Sequence, residues 1–334
     1  MTTKPKVAVI GVGGTISALS ASGSLDLVDY DANPTLLEAD EMVAKFSEVR
    51  QVAEVIPIRL KSVPSTMVAF PEWKALVKAA DKAVSDHPDL AGIVVLHGTA
   101  TLEETAYALN LTMKVRVPIV VVGSQRPASA LSSDAGRNFV NAVRTAASPG
   151  ARDLGVLVCL NDEIHAAREA TKTSTARLQA FRSPDFGVLG HADGDAVVFY
   201  RKPLRCTAPE TEFDIRELED LPRVDIAYAY AGNDGTSVRA FLKAGARGIV
   251  AASFAPGVLT PLETIALKEA VAAGVIVVLS SRVGSGRVPL RRESREAGFL
   301  VADNLNPQKS RILLALALTK TGDPSEIRRM FTAY

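Results

Sequence analysis

The sequence is poor in cysteine and in aromatic residues, and each shortage excludes a class of protein. Two cysteines in 334 residues are too few for a disulfide framework or a cysteine-rich zinc site. Aromatic residues make up 5% of the chain and the formal net charge is only +1. The positive field and the stacking side chains of a nucleic-acid binder are therefore missing, and we expect no nucleic-acid partner.

Long apolar runs are scarce as well. A membrane-spanning helix needs about 20 consecutive apolar residues, and no run in the sequence approaches that length. The first six residues lead straight into an apolar segment, without the h-region or cleavage site of a secretory signal. We expect a cytoplasmic protein with no membrane partner, and two cysteines far apart in the sequence fit a reducing compartment.

Two nucleotide-binding motifs fail at the glycine-rich turn of residues 11–17. The turn follows the apolar run of residues 7–10, and its glycines let a ligand approach the backbone. A dinucleotide fingerprint needs a glycine where Ile16 stands, and a phosphate-binding loop needs a Gly-Lys-Ser/Thr ending. The turn instead presents a hydroxyl, Thr15, at the carboxyl end of a predicted strand.

What the sequence does contain is an alternation of apolar, β-branched runs with helical stretches. Such alternation predicts α/β folding with parallel sheets and a ligand at the carboxyl ends of the strands. The length favours two domains, which we place at residues 1–205 and 223–334, joined by a polar linker at 206–222. The predicted strands are residues 52–60, 93–96, 118–122, 154–160, 224–228, 248–250 and 275–278.

A second polar turn follows the apolar run of residues 93–96. Thr101 with Glu104 three residues later predicts a capping box, so a helix should begin near Thr101. Thr99 lies just ahead of it, where backbone N–H groups and the helix dipole suit a nucleophile or an oxyanion. From the turn alone, helix capping is the better-supported role for both threonines.

Other polar segments carry weaker signals. Residues 18–31 lack a helical or strand period and resemble a mobile loop with one aromatic side chain, Tyr30. Ser65 lies in a hydroxyl-rich segment where capping is the expected role. Lys172 is most simply a surface lysine, and His165 is expected in a surface cluster with its acidic neighbours because the histidines lack zinc-site spacing.

Together, several of these segments resemble the bacterial L-asparaginase/glutaminase family, from about residue 7 to the C-terminus. The resemblance implies a larger N-terminal flavodoxin-like domain with a doubly wound parallel sheet, and a smaller C-terminal α/β domain. It also implies a homotetramer, a dimer of intimate dimers whose sites are completed by the neighbouring subunit, with no metal or organic cofactor. The matching segments are Gly13-Gly14-Thr15-Ile16, residues 97–105, residues 122–127, Thr171-Lys172-Thr173, residues 280–283 and residues 306–309.

The resemblance also implies catalytic roles, which replace the capping and surface interpretations. Thr15 would attack a side-chain amide, assisted by Tyr30, and Thr99 would be a second hydroxyl with Lys172 as its base. A threonine hydroxyl is a weak nucleophile at its ordinary pKa, so a base within hydrogen-bond reach is needed, and a lysine with a lowered pKa can serve.

The remaining implied site residues would hold the substrate. Gly14 and Ser65 would line the site, with Ser65 binding the substrate α-carboxylate, and Ser124 would offer a backbone carbonyl near the leaving amide. At Ala100 this sequence departs from the family, which has an aspartate there that holds the substrate α-ammonium. The family's neighbouring-subunit glutamate falls near Arg291 or Glu293, and its asparagine near residues 232–233, including Asn233.

Three functions fit these residues. The first is an amidohydrolase of the asparaginase type that acts on L-asparagine. The second is a related amidohydrolase whose substrate lacks an α-ammonium, such as a dicarboxylic monoamide, a lactam or a cyclic imide. The third is a binding or sensor homologue, or a variant disabled at Ala100, although retention of Thr15, Thr99 and Lys172 favours turnover.

Overall fold

The computed structural model describes residues 4–32 and 34–334. The chain divides into two compact units, which meet in sequence at Arg216 and Glu217. Residues 206–222, our proposed linker, contain this point of division. Both units are α/β structures, and the larger is the N-terminal one, so the predicted two-domain fold is confirmed.

The first unit combines one large sheet with two small two-stranded sheets. Its strands are β1 (Lys6–Gly11), β2 (Ala18–Leu19), β3 (Thr35–Leu36), β4 (Glu54–Arg59), β5 (Leu90–Leu96), β6 (Ile119–Val122), β7 (Val156–Leu160), β8 (Glu163–Ala166), β9 (Thr171–Lys172), β10 (Phe181–Arg182), β11 (Gly190–Ala192) and β12 (Val197–Phe199). Its helices are α1 (Ala39–Lys45), α2 (Val49–Val52), α3 (Phe70–Asp86), α4 (Leu102–Thr112) and α5 (Ala135–Ala147), with short 3₁₀ turns at Thr15–Ser17, Ser65–Met67 and Pro149–Ala151.

The large sheet has the strand order β12-β11-β8-β7-β6-β5-β1-β4. Strands β4, β1, β5, β6 and β7 are parallel, as the alternating pattern predicts. Beyond β7 the sheet continues through β8, β11 and β12, which pair antiparallel. The parallel strands β1, β5, β6 and β7 are apolar and buried because the sheet is covered on both faces there, whereas β4, at the edge of the sheet, is largely exposed. The antiparallel extension was not predicted.

Close packing between α5 and the large sheet fixes the distance between this helix and the central strands. Phe139, Ala142 and Val143 of α5 are fully buried in the same apolar cluster as Val94 and Val120 of the sheet. Gly92 of β5 lies so close to this helix that a Cβ atom added there would be 2.2 Å from the carbonyl oxygen of Ala146. A larger residue at position 92 would push helix and strand apart.

The second unit is a four-stranded parallel sheet in the order β13-β14-β15-β16. Its core lies between the sheet and the helices, with Ile249, Ala251, Leu267, Val277 and Leu279 among its buried apolar residues. The strands are β13 (Val224–Tyr228), β14 (Gly248–Ser253), β15 (Ile276–Ser281) and β16 (Leu300–Val301), and the helices are α6 (Thr236–Lys243), α7 (Pro261–Ala272), α8 (Arg292–Glu296), α9 (Pro307–Leu318) and α10 (Pro324–Ala333).

One sequence motif of this second unit has a structural explanation. In the segment of residues 306–309, Asn306 is the N-cap of α9 and its side-chain oxygen accepts a hydrogen bond of 3.0 Å from the backbone N–H of Lys309. Pro307 occupies the first helical position, where its missing N–H costs nothing. The motif therefore starts a helix.

The predicted surface cluster around His165 is wrong. His165 lies on β8 in the large sheet and only 1% of it is exposed. Because β8 continues the sheet beyond its last parallel strand, the histidine is covered by neighbouring strands and by the segment that follows β10. Its contacts are described below.

Candidate active site

Three polar turns leave the large sheet at the same level. Gly11 of β1 is in register with Leu96 of β5, and Leu96 is in register with Val122 of β6. Each of these strands ends at its register position, so the turns that follow lie side by side at the carboxyl edge. Ligands of open parallel sheets bind at this edge.

The first two turns are in backbone contact at Gly14 and Gly98. Gly14 has a φ of +89°, and a Cβ atom added there would lie 2.2 Å from the Cα of Gly98. A Cβ atom on Gly98 would lie 2.7 Å from the Oγ of Ser65 and 2.9 Å from the Cα of Gly14. Only glycine fits both positions, and this contact brings the turns that carry Thr15 and Thr99 together.

The hydroxyls of Thr15 and Tyr30 form the first reactive pair. Their oxygens are 2.9 Å apart, and both side chains are half-buried. Tyr30 is carried by the loop of residues 18–31, within which the carboxylate of Asp26 accepts hydrogen bonds from the Ser20 hydroxyl and from the backbone of Val28 and Asp29. These bonds give the loop a local structure that presents Tyr30 to Thr15.

Thr99 and Lys172 form the second pair. The Nζ of Lys172 is 2.8 Å from the Oγ1 of Thr99, which is 6% exposed. Partial burial lowers the pKa of Lys172, while the charge of Glu103 opposes that shift. The lysine lies on β9, in the small β9–β10 sheet, so neither its position nor its contact with Thr99 follows from the large sheet alone.

The capping box predicted at Thr101 is wrong, although α4 does begin at Leu102 as expected. Thr101 is the N-cap residue, but its side chain makes no capping hydrogen bond. Its hydroxyl instead donates to the backbone carbonyl of Ser65 at 2.6 Å. Thr101 thus ties the 3₁₀ turn of residues 65–67 to the turn that contains Thr99.

The remaining predicted site residues lie next to these pairs. Ala100 is exposed and directly follows Thr99. Ser124 is fully buried and follows Gly123, where an added Cβ atom would be 2.9 Å from the Cγ2 of Thr99. The Ser124 hydroxyl donates to the carbonyl of Arg126 at 2.6 Å, so its side chain stabilises its own loop. Six of the eight predicted site residues of the first unit therefore lie on the turns at this edge, and Tyr30 and Lys172 reach it through their contacts with Thr15 and Thr99.

Two residues near the pairs were missed by sequence reasoning. His97 is fully buried, and its Nδ1 donates to the carbonyl of Gly98 at 2.8 Å. Burial lowers the pKa of His97 to about 4, so the ring is neutral at pH 7. Glu103, in the first turn of α4, is 6% exposed and acts electrostatically on Lys172. In the sequence, the position of Glu103 two residues after the N-cap indicates only that its negative charge is favourable at the start of a helix.

Three candidates from the resemblance belong to the second unit. Arg291 is the N-cap residue of α8, and its guanidinium lies 3.5 Å from the carboxylate of Glu293. Asn233 is buried, and its side-chain oxygen accepts a hydrogen bond of 3.0 Å from the backbone of Gly235. These contacts hold local turns of that unit in place.

Residues 4–32 and 34–334 contain neither a metal-binding cluster nor a membrane-spanning helix. The histidine, cysteine and acidic side chains in this part of the chain form no group of three or more that could hold a metal ion. In the same part of the chain, every helix is too short or too polar to cross a bilayer.

Comparison with known proteins identifies the family. The family model described as Asparaginase, N-terminal matches residues 6–205, and the Glutaminase/Asparaginase C-terminal domain model matches residues 223–331. Together the two matches cover nearly the whole chain.

Individual relatives agree with this match. The chain is 39% identical over 334 residues to L-asparaginase 2 of Bacillus subtilis, covering 99% of this chain and 87% of that protein. It is 38% identical over 338 residues to the glutaminase-asparaginase of Pseudomonas fluorescens biotype A, with 99% and 92% covered. The crystal structure of a probable cytoplasmic L-asparaginase from Campylobacter jejuni superimposes with a TM-score of 0.91 at 36% identity, covering 99% of this chain and 100% of that one. The chain therefore belongs to the asparaginase family of amide-hydrolysing enzymes.

Proposed function

We propose that this enzyme hydrolyses the side-chain amide of a small carboxylate substrate, with Thr15 as the nucleophile. The observation that carries the proposal is that two threonine hydroxyls on adjoining turns are each paired with a proton-transfer group. Thr15 lies 2.9 Å from Tyr30 and Thr99 lies 2.8 Å from Lys172. Such nucleophile–base pairs are the geometry that covalent catalysis requires.

In the first step, the Thr15 oxygen adds to the amide carbonyl carbon, its proton passes to the neighbouring Tyr30 oxygen, and the Tyr30 hydroxyl gives its own proton to the amide nitrogen. The C–N bond then breaks and ammonia leaves, so that Thr15 carries an ester and Tyr30 is again a neutral hydroxyl. In the second step, water adds to the ester carbonyl, the bond to Thr15 breaks, and the acid is released with the hydroxyl restored. Each step has a lower barrier than direct attack of water on an amide.

Thr99 and Lys172 supply the second proton pathway. Because burial lowers the pKa of Lys172, its amine is more readily neutral and can accept a proton from the Thr99 hydroxyl, which then takes one from the attacking water. The buried carboxylate of Glu103 counteracts part of that shift, so the pKa of Lys172 is set by both burial and the charge of Glu103. Burial keeps the transfer away from bulk water.

We further propose that the substrate lacks a free α-ammonium. Ala100 stands where the family resemblance leads us to expect an aspartate, and it offers no charge to a cation. An ammonium that is desolvated without its carboxylate partner loses about 2–5 kcal/mol, which is at least about 30-fold in binding. A dicarboxylic monoamide, a lactam or a cyclic imide avoids this penalty.

A second candidate function is ligand binding without turnover, with the fold retained as a sensor. The one observation that favours it is the same Ala100, since a weakened substrate anchor lowers turnover of asparagine. Ammonia release over a panel of asparagine, glutamine, succinamate and cyclic imides separates the two functions. Ammonia released from any compound of the panel supports an enzyme. Binding of a compound, with no ammonia released from any of them, supports a sensor.

Removal of the Thr15 hydroxyl tests the nucleophile. We expect Thr15→Ala to fold normally and to lose at least about a thousandfold in kcat, because no other group replaces the attacking oxygen. The control is Thr35→Ala, at an exposed threonine of β3, which should keep wild-type activity. Near wild-type ammonia release from Thr15→Ala would eliminate Thr15 as the nucleophile.

Restoring a carboxylate at position 100 tests the substrate class. We expect kcat/KM for asparagine over succinamate to be below one in the wild type and to rise in Ala100→Asp, since the new charge pairs with the α-ammonium. Ala100→Asn has nearly the same shape without the charge and should raise the ratio far less. A wild-type ratio well above one, or an unchanged ratio in Ala100→Asp, would show that another group holds the ammonium.

We also propose the homotetrameric assembly that the resemblance implies, in which a neighbouring subunit completes each site. Because a shared site cannot work in an isolated chain, active protein should elute with about four times the 35.3 kDa mass of the chain. Size-exclusion chromatography with light scattering measures this mass. Full activity in a 35.3 kDa species would rule out a shared site.

We propose a cytoplasmic location, as the name of the Campylobacter jejuni relative states for that protein. Both cysteines are free, and Cys159 is fully buried, which fits a reducing compartment. Fractionation of the source cells should leave amidase activity with a cytoplasmic marker. Release of the activity by osmotic shock would place it in the periplasm instead.

A further inference from the structure

The lysine of the proposed site is carried by a very small structural element. Lys172 lies on the two-residue strand β9, which pairs with β10 through Phe181. The backbone N–H of Thr173 donates to the carbonyl of Ala180 at 2.7 Å and its hydroxyl donates to the same oxygen at 3.0 Å. These bonds close the β9–β10 hairpin, but they do not attach it to the rest of the unit.

A buried hydrogen bond between side chains connects the far end of this hairpin to the large sheet. Ser183 follows β10 directly, and its hydroxyl is 3.0 Å from the Nδ1 of His165 on β8. His165 is 1% exposed and Ser183 is 5% exposed. His165 is held in turn by β7, where it is in register with Val158. The histidine therefore connects the end of the hairpin to a strand whose position the large sheet fixes.

The other ring nitrogen of His165 faces a carboxylate. Its Nε2 lies 3.4 Å from the Oε2 of Glu163 without forming a hydrogen bond, and the nearby imidazole is the main cause of the lowered pKa of Glu163. The hydrogen bond of the ring is therefore the one between Nδ1 and the Ser183 hydroxyl, in which Nδ1 can accept the Ser183 proton. The other titratable neighbours of Glu163 are Arg182 on β10 and His191 on β11.

We propose that His165 is a positioning residue for the reaction. Through its buried hydrogen bond to Ser183, it helps to set the position of the β9–β10 hairpin, and with it the contact between Lys172 and Thr99. This inference rests on the proposed function, because it assumes that Lys172 acts as a base. Nothing in it requires His165 to touch the substrate.

The physical argument concerns what happens when the hydrogen bond between His165 and Ser183 is lost. The buried hydroxyl of Ser183 would have no acceptor at His165, and an unsatisfied buried polar group is costly enough to move toward water. A displaced hairpin would admit water around Lys172. Since burial is the main cause of the lowered pKa of this lysine, hydration would raise that pKa toward its ordinary value, and a larger fraction of the amine would be protonated at a given pH.

This reasoning predicts a specific change in the pH profile. The acid limb of kcat reports deprotonation of the base, so a raised pKa of Lys172 moves that limb to higher pH and leaves the alkaline plateau intact. For His165→Phe, which keeps an aromatic ring but has no ring nitrogen, we expect a shift of about one pH unit, or a tenfold loss of activity below the limb. Ser183→Ala should move the limb in the same direction.

Matched variants separate positioning from general disruption. His165→Asn places an acceptor oxygen near the former Nδ1 and should keep a limb close to that of the wild type. His191→Phe alters the histidine of the neighbouring strand β11, whose ring packs edge-on against Tyr200 at 6.2 Å, and should leave the limb unmoved. Lys172→Met should lose several decades in kcat and show no such limb.

The outcomes are distinguishable. An unmoved limb in both His165→Phe and Ser183→Ala, with Lys172→Met inactive, overturns the inference and leaves the proposed function standing. Activity lost equally at every pH in both variants also overturns it, because that is the behaviour of a purely structural residue. Wild-type activity in Lys172→Met overturns the proposed function together with the inference. Should His165→Phe fail to fold, Ser183→Ala and His165→Asn decide by the same criterion.

Discussion

The contact between the backbones of Gly14 and Gly98 is the constraint on which the candidate site depends. Parallel pairing brings β1 and β5 to the same level, and the absence of side chains at both glycines lets the two following turns touch. A Cβ atom on either residue would enter the other turn. The two threonines whose hydroxyls we assign to the reaction each directly follow one of these glycines. The backbone contact therefore brings the two threonines close together. The groups that activate them come from more distant segments, the loop of Tyr30 and the hairpin of Lys172.

Much of the fold could be predicted from the sequence, because the buried parallel strands are continuous apolar runs with few alternatives. The antiparallel strands β8, β11 and β12 escaped prediction since they are only three or four residues long, and β8 and β11 also include polar residues. The capping box at Thr101 failed because a tertiary partner, the carbonyl of Ser65, competes for the hydroxyl. His165 was misplaced for a related reason, since only tertiary structure shows that an acidic, histidine-containing segment is covered by a neighbouring hairpin.

The candidate site was less predictable than the fold. Thr15 and Thr99 could be proposed from their turns, since both follow strands whose carboxyl ends share one edge. Spacing gives no reason to bring Tyr30 or Lys172 to them, and only the family resemblance pointed there. Glu103 and His97 gave no usable signal, because a buried acid in the first turn of a helix and a histidine at the end of a strand both have ordinary structural explanations. Their influence on charge depends on burial, which the sequence does not display.

The central claim is that Thr15 becomes covalently esterified during turnover. The most direct measurement is acid quenching of the enzyme within a single turnover of succinamate, followed by proteolysis and mass spectrometry of the peptides that contain Thr15 and Thr99. The account predicts a succinyl ester on Thr15, which disappears in Thr15→Ala. An ester on Thr99 with Thr15 unmodified would contradict it.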